Sequence, residues 1–240
     1  LLNTVIPILI YIWRLFLNLH SFIETMKQFF TLTLKVLLLI LIARDVQATH
    51  IMGGNLGYTY MGLQPNGEYR YKVRLELYRS CAQGSSDLPI SMRLGVYFEN
   101  TANPTADKVQ QDEYNNVPLI SQQFISPPAP NDTCSFTPSV CVEQGIYELE
   151  IDVPSSTMGY HLIMDRCCRN DVIANVFDPS NEGAAWYAFI PATNIVNSSP
   201  TFAVPPVPFL CANDTNSILN AAFDPDGDVL TYNYVVPYGG

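Results

Sequence analysis

The sequence predicts an all-β fold: an antiparallel β-sandwich with disulfides, followed by the start of a second immunoglobulin- or cadherin-like β-domain. Three observations carry this. Several segments alternate apolar and polar residues with period two, the intervening stretches are rich in Pro, Asn, Gly and Ser, and six cysteines follow one another from Cys81 onward. The charge is acidic as well, with 12 Lys and Arg against 22 Asp and Glu.

The N-terminus reads as a leader. Met26-Lys27 make a short basic start, Val36–Ala43 is an unbroken apolar run, and Val46-Gln47-Ala48 has the small-x-small pattern of a signal-peptidase site. The run is too short to span a bilayer, for which about 20 residues are needed, so residues 26–48 are expected to be cleaved before Thr49. Residues 1–25 are also apolar from Leu1 to Leu17. They are taken as translated sequence upstream of the true start, the alternative being a transmembrane helix broken by Arg14. Any membrane contact is expected only through these segments. The 192 residues after Ala48 hold eight basic and twenty acidic side chains, which excludes nucleic acid as a partner because phosphate counterions must be displaced by cations.

In chain order, Asn55–Met61 is the first strand and Gln64-Pro65-Asn66-Gly67 the hairpin turn. Tyr69–Tyr78 then alternates strictly, with Tyr69, Tyr71, Val73, Leu75 and Leu77 opposite Arg70, Lys72, Arg74 and Glu76. The same pattern returns in Ile90, Met92, Leu94, Val96 and Phe98, and in Tyr147, Leu149, Ile151 and Val153 with Glu148, Glu150 and Asp152 between them. Tyr160–Cys168 and Ala184–Ile190 complete a domain over residues 49–196. From Asn197 the prolines Pro200, Pro205, Pro206 and Pro208 predict a stiff linker or edge strand. Ser217–Phe223 and Val229–Val236 are expected as the first strands of a second domain, over 197–240, that continues beyond this sequence.

An even number of cysteines behind a leader predicts disulfides. Cys134 and Cys141 flank a short loop and are the expected bridge. Cys167 and Cys168, adjacent in a strand, point to opposite faces and must reach different partners; Cys81 and Cys211 are the candidates, with the assignment open. No zinc spacing is present. Asp224, Asp226 and Asp228 alternate around Gly227 and could converge on a hard cation, so calcium is the expected metal, although the spacing is not that of an EF-hand.

No catalytic site is expected. Only His50 and His161 follow the leader, and no nucleophile, zinc or phosphate-loop motif occurs. Glu148, Glu150 and Asp152 read as a solvated strand face rather than a glycosidase pair, and His161 as a packed strand residue. Tyr58, Tyr60, Tyr78 and Tyr97 could form a sugar-stacking face or simply favour strands.

Four motifs carry a resemblance: Thr49-His50-Ile51-Met52-Gly53-Gly54, Leu77-Tyr78-Arg79-Ser80-Cys81, Cys141-Val142-Glu143-Gln144-Gly145-Ile146-Tyr147, and Arg166-Cys167-Cys168-Arg169-Asn170. With Asn197-Ser198-Ser199-Pro200 and Asp224–Asp228, the chain resembles the N-terminal region of the large surface proteins of gliding bacteria that use type IX secretion. Ser80 stands where that family commonly has Asp. The resemblance implies a secreted or cell-surface protein of a Gram-negative gliding bacterium, with cadherin- or polycystic-kidney-disease-like repeats and a C-terminal sorting domain that engages the secretion machinery. It also supports a calcium role for the aspartate turn. The function expected is a non-enzymatic structural or adhesion module, linked to gliding motility or attachment to surface glycans or proteins. The alternative is a carbohydrate-binding accessory region of a secreted polysaccharide-degrading enzyme.

Overall fold

The strict alternation of Tyr69–Tyr78 dictates a strand with one buried and one charged face, and that strand is the spine of the molecule. The computed structural model describes residues 26–35, 51–81, 86–98, 109–125, 141–167, 169, 173–204 and 219–236. Residues 26–35 are helical and belong to a unit of their own, Leu1–Gln47. Among the described residues no helix is long and apolar enough to cross a membrane. The apolar run Val36–Ala43 and the cleavage motif lie outside the described residues.

The unit Ala48–Gly240 is an antiparallel sheet of seven strands. These are β1 (Ile51–Leu63), β2 (Tyr69–Ser80), β3 (Ser91–Phe98), β4 (Val109–Ile125), β5 (Val142–Val153), β6 (Tyr160–Arg166) and β7 (Ala184–Ile190). Their order is β1-β2-β5-β4-β3-β6-β7, and β1 packs beside β7 without a ladder between them, so one sheet curls into a nearly closed barrel. The expected sandwich of two sheets is thereby corrected.

The strand that makes the difference is β4, which the sequence reading missed because it has little alternation. Its first part pairs with β3 as far as Pro118, and from Leu119 onward it pairs with β5. Proline has no amide proton for a ladder, so the chain changes partners where a hydrogen bond is already missing. A strand that hands over from one neighbour to another bends the sheet into a corner.

The interior is filled as the alternation predicts. Tyr71, Val73, Leu75 and Leu77 of β2 are buried against Leu94 and Val96 of β3, Tyr147 and Ile151 of β5, and Leu162 and Met164 of β6. Ile90 departs from the expected pattern, being exposed before β3 begins. On the outside, the register sets Arg70 opposite Asp152, Lys72 opposite Glu150 and Arg74 opposite Glu148. Arg70 donates two bonds of 2.7 Å to Asp152, and Arg74 donates one of 2.5 Å to Glu148. The Arg70 guanidinium holds the Asp152 carboxyl below its ordinary range. The acidic row is therefore half of a cross-strand charge ladder.

After residue 197 the structure again differs from expectation. Among the described residues there a two-stranded sheet forms, β8 (Thr201–Phe202) with β9 (Ala222–Phe223), and residues 229–236 join no ladder.

The bridge is also corrected: Cys141 bonds to Cys81, not to Cys134, with Cα atoms 5.1 Å apart. Register explains the choice. Ser80 pairs with Val142, so the next step outward along the β2–β5 ladder sets Cys81 opposite Cys141, where the Cys81 N–H donates to the Cys141 carbonyl at 3.1 Å. Cys81 is thus no partner for Cys167 or Cys168. Cys167 is itself disulfide-bonded. Cys134, Cys168 and Cys211 lie outside the described residues. Closing a loop between residues 60 apart gives the Cys81–Cys141 bridge about 4 kcal/mol on the chain-entropy estimate. Replacing both cysteines by alanine should cost about 2–4 kcal/mol, measured by chemical denaturation of the oxidised protein and the variant side by side.

Candidate functional site

Folding gathers all four of the quoted motifs at one end of the barrel. The start of β1, the end of β2, the start of β5 and the end of β6 lie side by side because antiparallel order alternates strand directions. The inward-facing positions at this mouth are Ile51, Gly54, Arg79, Glu143, Arg166 and Trp186, which continue the faces of the buried residues behind them.

Arg79 and Glu143 form an ion pair inside the mouth, 7% and 4% exposed. Charges this buried must have every donor and acceptor engaged. Arg79 Nε donates to Glu143 Oε2, Nη1 donates to the Ser86 carbonyl at 2.6 Å, and Nη2 to Asp87 Oδ1 at 3.0 Å. Gln122 Nε2 takes the other Glu143 oxygen at 2.6 Å. The β4 strand and the segment before β3 are therefore tied to the end of the β2–β5 ladder, directly behind the disulfide.

Beside this pair is a cavity of about 240 Å³ lined by Ile51, Gly53, Gly54, Arg166, Arg169 and Trp186 among others. Gly54 makes room for the indole: a Cβ there would lie 2.8 Å from Trp186 Nε1. Arg169 is held in the loop after β6 by its own amide, which donates to the carbonyls of Pro179 and Glu182 at 3.1 and 2.8 Å.

The Asn197-Ser198-Ser199 segment, expected as part of a linker, is a clamp on the free edge of β1. The amides of Tyr58 and Tyr60 donate to the hydroxyls of Ser199 and Ser198 at 2.8 and 3.2 Å, and the Ser199 amide donates back to the Tyr58 carbonyl at 2.9 Å. Exposed edge amides invite pairing with other chains, and here short hydroxylated residues satisfy them. The approach is close enough that a Cβ on Gly57 would lie 2.6 Å from Ser199 Oγ.

The aspartate turn is drawn into the same clamp. Asp226 Oδ2 accepts from the Ser198 amide at 2.5 Å, and Asp224 Oδ1 accepts from the Asp226 amide at 2.8 Å and the Asp228 amide at 3.4 Å. Among the described residues no three His, Cys, Asp or Glu side chains come together to hold a metal. Asp224 and Asp226 thus form the hydrogen-bonded corner of a turn.

The tyrosines proposed as a sugar-stacking face divide. Tyr58 and Tyr78 are buried and Tyr60 packs on the core, so those three offer no platform. Tyr97 joins a different group on the outer face. The register aligns Tyr97 of β3 with His161 of β6 and Phe189 of β7, and Tyr187 lies two residues along β7 on the same side. His161 is 5% exposed beneath Tyr187 and Phe189, which are 38% and 41% exposed. Its ring lies 4.9 Å from that of Phe189 and 5.8 Å from that of Tyr187, and its Nδ1 is hydrogen-bonded to the Tyr187 hydroxyl at 2.7 Å. The sequence signal for this row is the outward half of Trp186–Ile190, where aromatic residues occupy positions that polar ones fill elsewhere.

No protein-family model matches the chain, and neither a characterised protein nor a solved structure does.

Two consequences can be measured. Gly57→Ala should cost about 1–2 kcal/mol by pushing the clamp off β1, and less when made in a Ser199→Ala background, where the clashing oxygen is gone; denaturant midpoints read both. Burial, the largest cause, pushes the hydroxyls of Tyr58 and Tyr78 up to about 12 from the ordinary 10.0. The folded chain then keeps protons that the unfolded chain releases, so stability is full below about pH 10 and falls above it. Melting temperature followed from about pH 8 to about pH 11 should decline only in the upper part of that range.

Proposed function

We propose that this chain is a non-enzymatic extracellular module of a larger cell-surface protein, of the kind found in gliding bacteria, and that it adheres to neutral glycan through the outer face of β3, β6 and β7. One observation carries the reading: Tyr97, His161, Tyr187 and Phe189 form an aromatic row on the water side of a rigid sheet. Aromatic rings presented to water at fixed spacing are costly unless something stacks on them, and a sugar ring matches an apolar ring face with polar edges. The His161–Tyr187 pair supplies such an edge.

The rest of the molecule supports a scaffold rather than a catalyst. The Arg79–Glu143 pair at the mouth is tied to backbone and side-chain partners, and the acidic row is matched by basic residues of β2, which suits holding shape and not moving protons. Export is supported by the leader motif and the disulfides. The resemblance to surface proteins of gliding bacteria adds downstream repeats, beginning with an immunoglobulin- or cadherin-like domain from about residue 197, and secretion through a C-terminal signal.

The same row also suits a second reading, a carbohydrate-binding accessory region of a secreted polysaccharide-degrading enzyme. The two differ in what is covalently attached to the module, not in what the module touches.

A neutral glycan array probed with the full chain should show binding that Phe189→Ala weakens about tenfold without lowering the melting temperature by more than a few degrees. Absence of any glycan bound by the parent chain, or equal binding by the variant, would remove the adhesive face from this proposal.

A further inference from the structure

We propose that the mouth of the barrel is a carboxylate site in which Arg166 grips the acid group of a single hexuronate ring. The first ground is charge. Among the arginines of the sheet, Arg70, Arg74, Arg79 and Arg93 each face a carboxylate within 3.0 Å or less. Arg166 pairs with no carboxylate among the described residues, and its Nε is a buried donor without a hydrogen-bond partner there. Arg166 is half-buried and lines the cavity, which leaves its guanidinium charge open to an anion there.

The neighbouring acid does not serve. Glu143 lies at the same mouth, paired with Arg79 at the end of the β2–β5 ladder. Both Glu143 oxygens are already taken, one by Arg79 and one by Gln122. Among the described residues the mouth therefore carries a surplus positive charge, in a chain whose net charge is −10.

The second ground is shape. The cavity is about 240 Å³, larger than the ~150 Å³ space that admits a benzene ring. Trp186 and Ile51 supply apolar wall, and Gly53 adds no side chain to it, a Cβ there meeting nothing within 4 Å. The guanidinium fork matches a carboxylate in two parallel hydrogen bonds, and the indole offers a face to a sugar ring. The mouths of β-barrels are common places for such ligands. One ring bearing one carboxylate satisfies the volume, the charge and the wall together. This site is separate from the aromatic row and does not rest on the adhesive reading.

The test is binding of D-glucuronate to the full chain, by titration calorimetry, with D-glucose and acetate as comparisons. Glucuronate is expected to bind at least about tenfold more tightly than either, and Arg166→Gln to abolish that advantage while Arg166→Lys keeps part of it. Phe189→Ala should leave glucuronate binding unchanged, which separates this site from the outer face. Should Arg166→Gln fail to fold, the parent chain still decides: the Arg166 Nε–H resonance must shift on adding glucuronate and stay still with glucose. Equal binding of glucuronate and glucose, binding retained in full by Arg166→Gln, or an unmoved Arg166 resonance would overturn the proposal. Acetate binding as tightly as glucuronate would overturn the claim that a ring is recognised.

Discussion

The rest of the molecule depends on the ladder between β2 and β5. It runs unbroken from Tyr69 opposite Val153 to Ser80 opposite Val142. Because side chains alternate along a strand, one register decides two things at once. Inward it sets Tyr71, Val73 and Leu75 against Ile151, Leu149 and Tyr147; outward it sets three basic residues against three acids. A slip by one residue would bury the charges and expose the core. The Cys81–Cys141 bond stands one step beyond the last pair and the buried Arg79–Glu143 pair one step before it, so the register is locked at its open end by a covalent link and an ion pair.

Around that spine, the curl of the sheet comes from β4. Its handover from β3 to β5 at Pro118 brings the last strand, β7, round to the first, where Trp186 meets the backbone of Gly54. The barrel is left with a seam instead of a ladder, and the seam opens at the mouth. The exposed edge of β1 is managed further along by Ser198 and Ser199. These arrangements share a logic: wherever the sheet ends, a side chain or a neighbouring segment meets the backbone that another strand would have met. Arg166, which pairs with no carboxylate among the described residues, is the exception at the mouth, and it is the reason a ligand there is worth seeking.

Much of the strand pattern was legible in the sequence. Period-two alternation placed β2, β3 and the second part of β5, because a strand buried on one face must write its burial into every second residue. The opposed arginines and glutamates of β2 and β5 could be read as outward faces for the same reason. What could not be read was β4, which between Gln111 and Phe124 turns only Tyr114, Val117 and Leu119 to the core and so carries no period-two imprint, and with it the difference between a sandwich and a curled sheet. The clamp at Asn197–Ser199 was hidden because proline and serine in a row look like a linker whether or not an edge lies beneath them.

The chemistry of the sites divides along the same line. From sequence alone came the residue types: paired cysteines behind a leader, an acidic turn, an alternating charged face, and four motifs far apart in the chain. Only the tertiary structure decided that the described parts of those motifs meet at one mouth, that Cys141 takes Cys81 and not its nearer neighbour Cys134, and that Asp224 and Asp226 accept from backbone amides. The physical reason is that periodicity is a local property of a strand, written by the face it buries. Which strands lie side by side, and which side chains they bring within a few ångströms of each other, depends on ladder pairing between residues dozens of positions apart.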